Sequence, residues 1–350
     1  VKLLFDESKL GPLTLKNRFV MAPMTRSRAI GNTPNSLMVQ YYAQRATAGL
    51  IITEGTSPSP NGLGYSRIPG LFNEEQARGW REVTDAVHAK GGKIFVQLMH
   101  TGRVSHLANM PKGARVLAPS PIAMKGEVWT DAEGNQPYSA PEEMTLKDID
   151  QAIAEYTHAA KLAVTVAGFD GVELHGANGY LIDQFLNPAS NKRGDAYGKN
   201  RMEFALKVAK SVAEAIGPEK TGFRISPYGT FNDMEIFKGV DEFYAELASR
   251  LSRLGLVYIH VIDHGKGEVK RLVREFFKQT YILSQGYDIE RAEADLAAGK
   301  GDLVAFGKAF ISNPDYVERS RAKMALEALD ATKLYTPGPE GYVDYPSRAV

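Results

Sequence analysis

The chain contains no cysteine, so disulfide scaffolds, thiolate zinc sites, iron–sulfur clusters and a cysteine nucleophile are excluded by composition alone. An excess of one charge is missing too: 42 Lys and Arg stand against 41 Asp and Glu, a formal net charge of +1. Nothing in that balance attracts nucleic acid. No run approaches the ~20 apolar residues of a membrane-spanning helix. The opening stretch Val1-Lys2-Leu3-Leu4-Phe5-Asp6 meets an acidic residue early and lacks a secretory pattern. The expectation is a soluble, cytoplasmic protein with neither a nucleic-acid nor a membrane partner. A Gly-x-Gly-x-x-Gly fingerprint is also absent after the first strand-like run, where a dinucleotide fold would place one.

What is present is a 350-residue chain with 43% hydrophobic residues, enough for a substantial core. Short β-branched runs recur at 18–22, 50–54, 93–98, 171–174, 222–226, 258–262, 281–284 and 303–306. Helical periodicity fills the intervals at 36–48, 74–90, 145–167, 199–216, 241–254, 267–278, 288–299 and 313–328, with Thr145 and Asp148 spaced as a capping box. Eight strand-then-helix units predict a TIM (β/α)8 barrel, one domain over 1–350, in preference to a doubly wound sheet. Two connections, 101–144 after strand three and 176–198 after strand four, are too long for turns and predict functional walls or lids. Ala132-Glu133-Gly134-Asn135 marks a hairpin tip in the first of them.

In such a barrel the chemistry gathers at the C-terminal strand ends. Those ends carry Pro23-Met24-Thr25-Arg26, Glu54-Gly55, Gln97 with His100, His175 with Asn178 and Tyr180, and Arg224. Each has a plain structural explanation: Gln97 and Arg224 as interior polar residues, His175 as a turn cap, Tyr180 as a packing aromatic. Their convergence on one mouth favours a site, because unpaired burial of such groups is costly. Strand-end acids are too few and scattered for metal hydrolysis, so no metal is expected. No Gly-x-Ser-x-Gly elbow occurs, and no Lys ends a middle strand as a Schiff base would need. Glu54 and Glu173 are the one carboxylate pair a glycosidase could use. A bound cofactor remains as the source of reactivity. Ser284-Gln285-Gly286-Tyr287 and Phe306-Gly307-Lys308 supply the glycines and cation expected where a barrel holds phosphate. A phosphate-substrate lyase or isomerase could use the same pocket.

Taken together these residues resemble the old yellow enzymes, FMN-dependent ene-reductases built on a TIM barrel. The resemblance runs nearly end to end. It includes Met21-Ala22-Pro23-Met24-Thr25-Arg26, Gln97-Leu98 with His100-Thr101-Gly102-Arg103, Val172-Glu173-Leu174-His175-Gly176-Ala177-Asn178-Gly179-Tyr180-Leu181, and Gly341-Tyr342-Val343-Asp344-Tyr345-Pro346. It implies that Thr25 bonds the flavin carbonyl near N5, Gln97 meets the pyrimidine edge and Arg224 stands at the N1/C2 side. Pro23, Met24 and Gly55 would lend backbone around the ring, and Gln285, Gly286, Gly307 and Lys308 would hold the phosphate. His175 and Asn178 would bind the carbonyl or nitro oxygen of a small unsaturated substrate, Tyr180 would protonate its α carbon, and Tyr65, Met99 and Tyr342 would shape the slot. NADPH or NADH would share that slot in a ping-pong cycle, which accounts for the missing glycine fingerprint. Three positions depart from the family pattern: Gln285 replaces Gly, Lys308 replaces Arg, and the stretch after Tyr197-Gly198 is shortened to Gly198-Lys199-Asn200-Arg201. The first two imply weaker FMN retention, or a flavin-binding barrel with impaired turnover.

Overall fold

The computed structural model describes residues 3–348. Eight strands are β1 (Phe19–Met21), β2 (Leu50–Thr56), β3 (Ile94–Leu98), β4 (Gly171–Gly176), β5 (Thr221–Ile225), β6 (Tyr258–Ile262), β7 (Thr280–Ser284) and β8 (Leu303–Phe306). All neighbours pair in parallel, and β8 closes onto β1 through Val304, Ala305 and Phe306 opposite Phe19, Val20 and Met21. The sheet is therefore a closed barrel with no edge.

Strand periodicity sorts the side chains. Val20, Leu50, Ile52, Phe95, Tyr258, Ile282, Leu303 and Ala305 form one buried interior cluster. Their sequence neighbours Phe19, Met21, Ile51, Ile94, Val96, Ile259, Leu283 and Val304 join a second cluster with the surrounding helices. Both faces are buried, so the strands read as continuous apolar runs. A hairpin, Ser8–Leu10 with Leu13–Leu15, adds Leu10, Leu13 and Leu15 to the interior cluster at the N-terminal end.

Eight helices, one following each strand, are α1 (Ser36–Gln44), α2 (Glu74–Ala89), α3 (Leu146–Thr165), α4 (Glu203–Ile216), α5 (Val240–Arg253), α6 (Val269–Phe276), α7 (Ile289–Ala297) and α8 (Tyr316–Ala322), with shorter helical turns in the connections. Asn35 and Asn73 cap the first two by accepting from Met38 and Gln76 backbone N–H groups. The expected capping box is present: Asp148 N–H donates to Thr145 Oγ1 at 3.1 Å and Thr145 N–H to Asp148 at 2.9 Å.

Three helices differ from expectation at their ends. Asn200 interrupts the segment expected at 199–216, its carbonyl Oδ1 accepting from Met202 N–H at 3.3 Å, so a short turn Ala196–Lys199 precedes α4. Lys323 takes a left-handed φ of 55° and ends α8 early. α1 stops at Gln44, where the Arg45 N–H turns back to the Tyr42 and Ala43 carbonyls. The long connection after β3 carries a hairpin, Glu127–Thr130 with Gly134–Pro137, whose tight return uses Gly134 at φ 70°.

Candidate functional site

A cavity of about 970 Å³ opens at the C-terminal ends of the barrel strands. Ten of the expected residues line it: Pro23, Thr25, Gly55, Tyr65, Gln97, Met99, His175, Asn178, Tyr180 and Arg224. Strand register explains the meeting. His175 lies beside Arg224 across β4 and β5, and Glu173 beside Gln97 across β4 and β3, all on inward-facing positions.

The floor is a buried polar layer. Gln97 Nε2 donates to Glu173 Oε1 at 2.9 Å, while the Tyr258 hydroxyl donates to Glu173 Oε2 at 2.8 Å and His260 Nδ1 lies 2.9 Å from it. Burial would raise the Glu173 pKa, but His260, the Arg224 charge and the Tyr258 hydroxyl outweigh it and hold the carboxyl at about 2. Burial lowers the pKa of His260 against the pull of the Glu173 charge, and its Nδ1 faces that carboxylate as a donor. Arg224 lines the cavity beside this layer, and its Nε is buried without a protein partner.

Glu54 does not face Glu173. The β2–β3 register shifts between Ile52 and Gly55, a bulge that turns Gly55 inward opposite Gln97. Glu54 then faces outward, where its Oε2 accepts from the Tyr42 hydroxyl at 2.6 Å. The paired-carboxylate arrangement of a glycosidase is therefore excluded.

The wall is built by β4 and the turn after it. Ala177 N–H donates to His175 Nδ1 at 3.3 Å, which puts the imidazole proton on Nε2. Burial, with Arg224 nearby, pulls the His175 pKa down to about 3, so this donor stays neutral. Asn178 takes a left-handed φ of 58°, fixed by its N–H to Ser226 Oγ at 2.9 Å. The Tyr180 and Tyr65 hydroxyls are 3.0 Å apart, and the Tyr180 ring stands edge-on to His175 at 5.1 Å. Burial raises the Tyr180 pKa to about 12, so its hydroxyl keeps its proton at neutral pH.

Comparison with known proteins decides the lineage. The model of the NADH:flavin oxidoreductase / NADH oxidase family matches residues 3–327. A probable flavin mononucleotide-dependent alkene reductase of Leishmania infantum is 40% identical, over 96% of this chain and 95% of its own. The 12-oxophytodienoate reductase 7 of Oryza sativa subsp. japonica is 39% identical, over 98% of this chain and 94% of its own. The solved structure of morphinone reductase superposes with a TM-score of 0.93 at 40% identity, over 99% of this chain and 96% of that one. The chain belongs to the old yellow enzyme family. It is accordingly a flavoprotein oxidoreductase of the alkene reductase type.

The residues present fit the flavin that an old yellow enzyme carries. Arg224 offers an orphaned buried donor, Gln97 a carbonyl oxygen, and Pro23, Thr25 and Gly55 line the cavity above them. The phosphate end is less regular. Gln285 holds a φ of 89°, a conformation that suits glycine, and the Gln285 and Gly286 carbonyls accept from Arg291 at 3.1 and 3.2 Å. Lys308 is exposed and starts a short helix, Lys308–Ser312, just after Gly307. Met24 stands against Gly307, away from the cavity lining.

Tyr342 is displaced from the slot it was expected to shape. It is fully buried and stacks on Tyr41 with ring centroids 4.1 Å apart, under the guanidinium groups of Arg26 and Arg28. The C-terminal segment lines the cavity through Thr332, Tyr335, Thr336 and Pro337 instead. Sequence patterns also missed Asn232. Its amide donates to the Asn178 carbonyl at 2.8 Å, and beside the Tyr65 and Tyr180 hydroxyls it partly opposes the rise that burial gives their pKa values. The signal was the turn-forming run Gly229-Thr230-Phe231-Asn232-Asp233, in which Asn232 and Asp233 both take positive φ.

Proposed function

We propose that this old yellow enzyme reduces the activated carbon–carbon double bond of α,β-unsaturated carbonyl and nitro compounds, with NADPH or NADH as the reductant. Pro23, Thr25, Gly55, Gln97 and Arg224 would hold the isoalloxazine ring, with Met24 lending backbone only, and Gln285, Gly286, Gly307 and Lys308 would hold the phosphate. When bound, FMN supplies the hydride, which it takes from the nicotinamide.

The chain's own groups do the rest. His175, with its proton on Nε2, donates to the substrate carbonyl or nitro oxygen, and the Asn178 side chain shares that oxygen. Their two hydrogen bonds would orient the double bond for reduction and stabilise negative charge as it develops. Tyr180 delivers a proton to the α carbon, and Tyr65, 3.0 Å away, supports the phenolate left behind. Low exposure of His175, Tyr180 and Met99 keeps bulk water from the reacting atoms.

The observation that carries this proposal is the pairing of Tyr180 with His175 above the orphaned Arg224 Nε in one cavity. The test is the visible spectrum of the purified protein before and after incubation with FMN and gel filtration, followed by NADPH and then cyclohexenone. Flavin bands that NADPH bleaches and cyclohexenone restores are expected. A protein that never acquires flavin bands, or whose bleached bands no enone restores, overturns the proposal.

A further inference from the structure

Glu173 plays no part in the steps above, yet it is the centre of a buried polar group inside the barrel. It is fully buried, and three donors converge on its two oxygens: Gln97 Nε2 at 2.9 Å, the Tyr258 hydroxyl at 2.8 Å and His260 Nδ1 at 2.9 Å. A carboxylate can only accept, so the amide atom that Gln97 turns toward it must be its nitrogen. Gln97 lines the cavity, and this contact leaves its carbonyl oxygen as the polar atom offered there. An unanchored glutamine could present either end.

The same carboxylate is a fixed negative charge beside Arg224, whose register partner His175 lies two residues along β4 from Glu173. Arg224 and the Glu173 carboxylate are both buried inside the barrel, so their opposite charges act on each other with little screening.

We propose that Glu173 is a positioning residue of the cofactor site: its carboxylate locks the Gln97 amide with the carbonyl oxygen toward the cavity and offsets the Arg224 charge there. This inference rests on the flavin site assigned under Proposed function. Two consequences follow. Without the lock, Gln97 offers its amide in the wrong sense to the pyrimidine edge, and FMN binding weakens. Without the negative charge, Arg224 favours the electron-rich reduced flavin more strongly, and the flavin potential rises.

Glu173→Gln tests both, since it keeps the shape, removes the charge and presents an NH2 group to at least one of the three donors. Wild-type and variant proteins are loaded with FMN, and their flavin dissociation constants, visible spectra, midpoint potentials and thermal melting are compared. About tenfold weaker FMN binding, the worth of one well-placed buried hydrogen bond, is expected together with a raised potential. Tyr258→Phe is the companion: it removes one donor but keeps the charge, so its potential stays at the wild-type value. A Glu173→Gln protein with wild-type affinity, spectrum and potential overturns the proposal, and so does a potential that shifts equally in both variants. If the wild-type protein itself binds no FMN, the functional proposal has failed first. Where Glu173→Gln does not fold, the isotope-labelled wild-type holoenzyme is examined by NMR. Slowly exchanging, non-rotating Gln97 amide protons are expected, and a freely rotating amide overturns the proposal.

Discussion

Replacing Tyr180 by Phe removes one hydroxyl and little else. The ring is 8% exposed and held edge-on by His175 at 5.1 Å and Tyr65 at 6.0 Å, so a phenyl group keeps the same place. Tyr65 loses its 3.0 Å partner, a stability cost of about 1–2 kcal/mol. The chemical cost is larger and falls on one half of the cycle. Proton donation by a positioned acid is worth about 10²–10⁴-fold, so alkene reduction should slow by that factor, about 3–5 kcal/mol of barrier. Flavin reduction by NADPH needs no proton from Tyr180 and should be unchanged within about twofold on the same grounds. Stopped-flow absorbance resolves the two half-reactions in a single enzyme preparation. Equal slowing of both would mean that Tyr180 positions ligands and does not donate the proton. An unchanged alkene step would remove it from the mechanism altogether.

His175→Ala should weaken binding of a phenolic inhibitor by about tenfold, the worth of one buried donor to an anionic oxygen, as read by titration of the flavin spectrum; unchanged affinity contradicts the role of Nε2. Gln285→Gly should raise stability by about 1 kcal/mol, because φ 89° strains an L-residue more than the added backbone freedom of glycine costs, and a lowered melting midpoint would refute that. Lys308→Arg should slow loss of FMN during gel filtration several-fold by restoring a two-pronged phosphate contact; identical retention argues that Lys308 does not touch the phosphate. Stability should fall steeply in acid. Glu173, held at about 2 against a usual 4.5, contributes about 3 kcal/mol that is present above pH 4.5 and lost as pH falls toward 2. His175, held at about 3 against 6.5, likewise loses its contribution as pH falls from 6.5 toward 3. Asp183 is raised to about 7 by burial and so gains stability on acidification from 7 to 3.8, offsetting the histidine loss until that range is passed. Denaturant titrations across pH check the sum, and stability undiminished at a pH well below 4.5 would contradict the buried carboxylate.

Strand positions were legible because both faces of a parallel barrel strand are apolar, and each of the eight runs overlaps an observed strand. Which polar residue faces inward was legible only where the strand is regular. On β4 the two-residue step from Glu173 to His175 places both inside, as the pleat requires. On β2 the bulge between Ile52 and Gly55 reverses the count, and nothing in Ile51-Ile52-Thr53-Glu54 announces it except the glycine that follows. Ten cavity residues were found from their strand-end positions and the family resemblance. Asn232 was not, because its placement depends on two consecutive positive-φ residues in a loop with no periodicity to read.

Tyr342 was misplaced for a related reason, and the cause bears on the cavity wall. The segment around 331–346 is rich in Gly and Pro and forms only one short 3-10 turn, so helix or sheet cannot satisfy its backbone carbonyls. Guanidinium groups do so instead, each offering five donors. Arg28 bonds the Lys333, Leu334, Gly338 and Glu340 carbonyls, Arg26 those of Leu334 and Gly341, and Arg67 that of Tyr335 at 2.7 Å. Closing an irregular segment over buried arginines needs an aromatic face against the guanidinium planes, and Tyr342 with Tyr41 provides it. Tyr342 is thus held as part of the clasp, which leaves Tyr335 and Thr336 to meet the cavity. Because Arg67 also bonds the Ser27 carbonyl at 2.8 Å and pairs with Asp131, the loop after β1, the hairpin after β3 and the C-terminal segment form one wall fastened at a single side chain. The outer shape of the slot, unlike its catalytic floor, is therefore set by side-chain-to-backbone contacts between segments about 40 to 300 residues apart, a separation at which local sequence pattern carries no information.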